Sequence, residues 1–152
     1  MIDNHILASV FIHLIAAVMQ LMVWRKTVTQ RFISVGATFL GVVVALRLFA
    51  TVYEGGPLML NASNWESPFG IVFVADLLAV TLVLLTSIAG FAVSIFSTIG
   101  LSKQRMKYGY FPIFHFLLMG LNGAFLTGDI FNLYVWFEVI IISSFVLMTL
   151  GG

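Results

Sequence analysis

Apolar residues in this chain run in five long stretches, and polar or turn-forming residues collect between them. The stretches cover about residues 5–24, 32–53, 70–100, 109–126 and 129–150. Each approaches or exceeds the roughly 20 residues that carry a helix across a ~30 Å hydrocarbon core. In lipid an open segment must satisfy its own backbone N–H and C=O groups, which a helix does. The pattern therefore predicts an all-α membrane protein, a single domain over residues 1–152 with five transmembrane helices. The third stretch is long enough to tilt or to extend beyond the membrane.

Charge placement orients these helices. Arg25, Lys26 and Arg31 lie between the first two stretches, and Lys103, Arg105 and Lys107 between the third and fourth, six of the seven basic residues. By the positive-inside rule the loops 25–31 and 101–107 are cytoplasmic. The amino-terminus with Asp3, and the loop from Glu54 to Phe69 with Glu54 and Glu66, then fall outside. That loop holds Gly, Pro, Asn and Ser, the residues of turns, and its Trp65 suits a membrane interface. Asn61-Ala62-Ser63 matches a glycosylation pattern only formally. Gly151-Gly152 reads as a helix stop.

Composition agrees with the pattern: 61% of residues are hydrophobic and 9% charged, against about a quarter charged in soluble domains. Cysteine is absent, which excludes disulfides and thiolate chemistry. The opening MIDNHILASV has neither a basic n-region nor a small-residue cleavage site, so the first helix is expected to stay.

Against this background one residue stands out. Glu138 lies nine residues into the fifth stretch from Asp129, about 13 Å along a helix and close to the bilayer midplane. A carboxylate there costs about 2.5 to 3.5 kcal/mol on insertion scales, so a proton-carrying role outweighs that of a structural acid hydrogen-bonded between helices. Tyr134 sits one turn earlier, and Ser143 and Ser144 just over a turn later, where they could hydrogen-bond the carboxyl or line water.

Other ionisable residues carry two readings each. Asp76 falls about 9 Å into the third stretch and is either hydrated near the surface or part of an ion path. Arg47, the one basic residue within a stretch, either snorkels to the outer interface or pairs with Asp76. His115 could shuttle protons from the cytoplasmic edge, although a lone histidine on an apolar helix more often packs with a satisfied nitrogen. Asp129 could cap the fifth helix, the plainer role for it and its neighbours Asn122 and Thr127. Gly120, Gly123 and Ala124 permit close helix packing.

No pair formed from His5, His13 and His115 has an acidic partner at ligand spacing, so a metal site is weakly supported. Phosphate loop, nucleophilic serine motif and basic nucleic-acid face are all missing. No cofactor is expected, and no enzymatic reaction.

The runs FGIVFVADLLAV, LTSIAGF and GLNGAFLTGDIFNLYVWFEVIIISSFVLMTLGG resemble the amino-terminal third of the D subunit of Mrp-type multisubunit cation/proton antiporters. That family is itself similar to the antiporter-like subunits of respiratory complex I and membrane-bound hydrogenases. The resemblance spans essentially the whole chain and is most specific in GDIFNLYVWFE. It implies a subunit of about fourteen helices in a hetero-oligomeric complex of the bacterial inner membrane, exchanging Na+ for H+. It also implies that the fifth-helix glutamate, here Glu138, pairs with a lysine on the seventh helix. This chain ends before that lysine, so it reads either as a fragment of a longer subunit or as a chain whose remaining helices come from another. Two alternatives stay open: a proton-pumping subunit of complex I or a hydrogenase, and a structural membrane scaffold.

Overall fold

A computed structural model describes residues 4–62 and 70–150. Asp3, Ser63, Trp65, Glu66, Gly151 and Gly152, with the roles expected of them, lie outside the described residues. Five long apolar helices carry the fold: α1 Asn4–Met22, α2 Thr27–Gly55, α3 Leu77–Gly100, α5 Tyr110–Leu126 and α6 Ile130–Thr149. A five-residue helix, α4 Lys103–Lys107, lies in the basic connection before α5. By length and composition α2, α3 and α6 suffice to cross a membrane. With 19 and 17 residues, α1 and α5 sit at the short end of the spanning range.

The connection between α2 and α3 departs from expectation. Residues 70–76 do not begin the third helix. Leu58–Asn61 (β1) and Val72–Ala75 (β2) pair antiparallel, Leu58 opposite Ala75 and Asn61 opposite Val72. The sequence Val-Phe-Val-Ala is apolar whether strand or helix, and periodicity alone does not separate the two over so short a run. What ends it is Asp76, held extended at φ −93° and ψ 175°. Its Oδ1 accepts from Ala79 N–H at 2.7 Å, capping the orphan donors at the start of α3. The aspartate thus stands at the mouth of the helix, not within its apolar length. In the same way α2 starts five residues earlier than its apolar run, so Arg31 lies in its first turns and donates to Met106 Sδ at 3.1 Å.

Four helices close a ring: α1 packs on α2, α2 on α3, α3 on α5 and α5 on α1. Their interior has two zones. Near the hairpin it is apolar, with Ile6, Val10, Leu48, Val52, Val80, Val83, Met119 and Leu126 clustered beneath Phe73 and Ala75. Towards the basic connections it is polar, with Gln20, Gln30, Ser34, Ser94, Ser97 and His115 all buried. Outward faces stay apolar, as lipid demands: Phe32, Phe39, Leu85, Phe96 and Ile99 are exposed.

The sixth helix stands outside the ring and packs on α5. Glycines let the two approach. A Cβ at Gly120 would meet Ile140 Cγ1 at 2.9 Å, and one at Gly123 would enter the Trp136 ring. Asp129 fixes where α6 starts. Its Oδ1 accepts from Asn132 N–H at 2.7 Å as the cap, while Oδ2 accepts from Val72 N–H at 3.2 Å. Gly128 N–H donates to Val72 C=O at 2.7 Å, and Phe73 bridges Thr127. The hairpin and the α5–α6 turn are therefore clasped by backbone and carboxylate bonds together.

Because Asp129 serves two partners and Asp76 one, their alanine variants should differ. Loss of the cap costs about 1 kcal/mol, and loss of a hydrogen bond to a charged group adds about 1.5 to 3 kcal/mol. Asp129→Ala should lower the thermal midpoint of the full-length protein in detergent more than Asp76→Ala does. Equal shifts would show that the bond to Val72 adds nothing.

Candidate functional site

Glu138 is the ninth residue of the twenty in α6, which puts its Cα near the middle of that helix. Its side chain is half-buried. Tyr134, one turn earlier on the same side of the helix and 62% exposed, lies within reach of the carboxylate. The face of α6 that meets α5 is formed by Asn132, Trp136, Val139, Ile140 and Ser143. Glu138 lies roughly 140° around the helix from Ser143, at 3.6 residues per turn. It shares its side with the exposed Phe131, Tyr134, Ile141 and Phe145.

The serines are elsewhere. Ser143 is turned to α5 beside Ile113, Phe116 and Met119. Ser144 donates to Ile140 C=O at 2.6 Å within its own helix. Of the residues expected around the glutamate, the structure brings only Tyr134 to it.

Asp76 is exposed and lines a groove of about 380 Å³ together with Thr127, Gly128 and Ala124. Arg47 is exposed on α2 in a depression with Ala50, Thr51 and Glu54, residues of its own helix. The depression and the groove have separate linings, and the Asp76 carboxylate is engaged with Ala79 N–H.

His115 is not a lone histidine. It is fully buried, and both ring nitrogens are engaged: Nδ1 lies 3.1 Å from His13 Nδ1, and Nε2 lies 3.1 Å from Ser34 Oγ. Ser34 Oγ is in turn 3.0 Å from Ser94 Oγ. One turn further towards the basic connections, Ser97 Oγ lies 2.8 Å from Tyr110 Oη. Gln20 and Gln30 close that end, the Gln30 amide donating to the Gln20 backbone carbonyl at 3.2 Å. A polar file drawn from α1, α2, α3 and α5 thus fills half of the ring.

Residues taken one at a time do not reveal this file, but it has a sequence signature. On α1 Ser9, His13, Ala16 and Gln20 recur at intervals of four, three and four, and on α2 Gln30, Ser34, Thr38 and Gly41 recur at similar ones. Polar and small residues at helical spacing within apolar helices mark the faces that meet other helices. The described residues contain no cluster of three or more His, Cys, Asp or Glu that could hold a metal.

Comparison with known proteins places this architecture. No family model matches the chain. It is 41% identical to the Na(+)/H(+) antiporter D subunit of Alkalihalophilus pseudofirmus over 150 residues, which are 99% of this chain and 30% of that protein. The Na(+)/H(+) antiporter D subunit of Bacillus subtilis is 37% identical, with the same coverage of both chains. The fold matches a chain of the membrane-bound sulfane sulfur reductase, an archaeal respiratory membrane complex, at a TM-score of 0.83 and 27% identity. That match covers 94% of this chain and 29% of the other. A chain of the Mrp complex from Dietzia sp. matches at 0.78 and 25% identity, over 95% of this chain and 27% of its own length. The chain thus spans about 30% of the length of the relatives it matches. By sequence along nearly all its length, and by fold, it is a homologue of the amino-terminal portion of the Na(+)/H(+) antiporter D subunit.

Proposed function

We propose that this chain is the first five membrane helices of a monovalent cation/proton antiporter subunit within a multisubunit complex of the bacterial inner membrane. In this reading Glu138 binds and releases the translocated proton near the midplane. The observation that carries it is the placement of the carboxylate: half-buried, halfway along an apolar helix, on the side of α6 turned away from the ring. Such a group is costly unless a partner or water answers it. A cation approaching that side favours the charged form, and its departure favours proton uptake. Tyr134 steadies the carboxylate. Asp76, at the mouth of α3, lines the groove where an ion would enter or leave. The basic connections face the cytoplasm, and the amino-terminus and hairpin face outside.

A second reading is favoured by the match to a respiratory membrane complex. There the same glutamate would pump protons, powered by a redox reaction in other subunits. Sodium-driven proton movement without a redox substrate separates the two.

The central test is Glu138→Gln, which keeps shape and removes the charge. In vesicles carrying the assembled complex, sodium-dependent proton exchange should fall by about 100-fold while assembly, followed by co-purification of the other subunits, persists. Exchange at the native rate would leave Glu138 a packing residue.

A further inference from the structure

We propose that Ser94, Ser34, His115 and His13 form a reversible proton relay inside the four-helix ring, separate from Glu138. Between two imidazole Nδ1 atoms 3.1 Å apart only one proton fits, because a nitrogen that donates cannot also accept. The file therefore has two self-consistent arrangements. In the first, Ser94 donates to Ser34, Ser34 to His115 Nε2, and His115 Nδ1 to His13 Nδ1, leaving a proton on His13 Nε2. In the second every bond is reversed, and His13 Nε2 is bare.

Passage from the first to the second is balanced. A proton arrives at Ser94 Oγ; one proton shifts along each O–H···O, O–H···N and N–H···N bond; and His13 Nε2 gives up its proton to a water molecule. One proton enters and one leaves. Return of a proton to His13 Nε2, with the reverse shift along each bond and loss of a proton from Ser94 Oγ, restores the starting arrangement.

Geometry supplies both ends of this file. All four side chains are 1% exposed or less, so its bonds are shielded from competing water along their length. Ser97 and Tyr110, one turn nearer the basic connections, bring hydroxyls within a turn of Ser94. At the other end His13 Nε2 is buried and has no hydrogen-bond partner among the described residues. A fully buried imidazole nitrogen left open is unusual, and in the relay it is the exit from which the proton leaves. It faces Gly41 of α2, where an added Cβ would lie 3.5 Å from both Cε1 and Nε2. Glycine keeps that space clear. Alanine would fit without a clash, in van der Waals contact with the Cε1–Nε2 edge that the acceptor must approach.

As a contribution to transport the relay rests on the antiporter reading; as a hydrogen-bond device it does not, and the two are tested apart. In the full-length protein in lipid, 15N spectra of the histidines, assigned with His13→Gln and His115→Gln, should show both rings exchanging between two neutral tautomers. Ser34→Ala should bias them to one. In the assembled complex Ser34→Ala and Gly41→Ala should each slow sodium-dependent proton exchange about tenfold. Ser34→Thr, which keeps the hydroxyl, should restore it. A helix gains from Gly→Ala, so a fold held only by packing would tolerate Gly41→Ala. A single fixed tautomer at both rings, or exchange at the native rate in both variants, overturns the relay. Slowed exchange in Gly41→Ala alongside native exchange in Glu138→Gln would overturn the role of Glu138 and leave the relay standing.

Discussion

A helix whose outer surface meets lipid gains nothing by turning apolar residues inward, because hydrocarbon and protein interior are alike to them. Orientation must come from small residues that let backbones approach and from polar residues that cannot face lipid. This constraint governs the molecule. It sets Gly120 and Gly123 of α5 beneath α6 and puts Gly90 of α3 beneath Leu118. It also turns Ser34, Ser94, His13 and His115 to one another. The ring of α1, α2, α3 and α5 is held in register by these contacts more than by its leucines and valines.

The same rule explains what is legible in the sequence. Five long helices follow from hydropathy, since the length needed to cross a bilayer leaves little choice. Asp129 as a helix cap follows from its place between Thr127-Gly128 and an apolar run. Residues 70–76 read as helix because an apolar Val-Phe-Val-Ala has no period to distinguish it, and the pairing that decides the matter comes from Leu58–Asn61 in another part of the loop. The histidine pair is hidden because its members are 102 residues apart and each looks isolated on its own helix. The stripes of Ser, Thr, Gln and Gly at helical spacing hold the information, but only when taken as faces.

The two polar features differ in completeness. The histidine file is bonded from Ser94 through Ser34 and His115 to His13 within the ring. The carboxylate of Glu138 has Tyr134 beside it and looks away from the other helices. That side of α6 is the one the other described helices leave uncovered.

The long separation between His13 and His115 bears on how the protein is made. The ring closes only when α5 joins α1 and α3, so His13 waits for its partner while 102 further residues are synthesised. At about 5 to 20 residues per second this takes on the order of ten seconds. Through that interval Gln30 can already meet Gln20, and Ser34 can already meet Ser94, while His13 lacks the imidazole it will face. A ribosomal pause before residue 110 would prolong the time His13 spends without its partner.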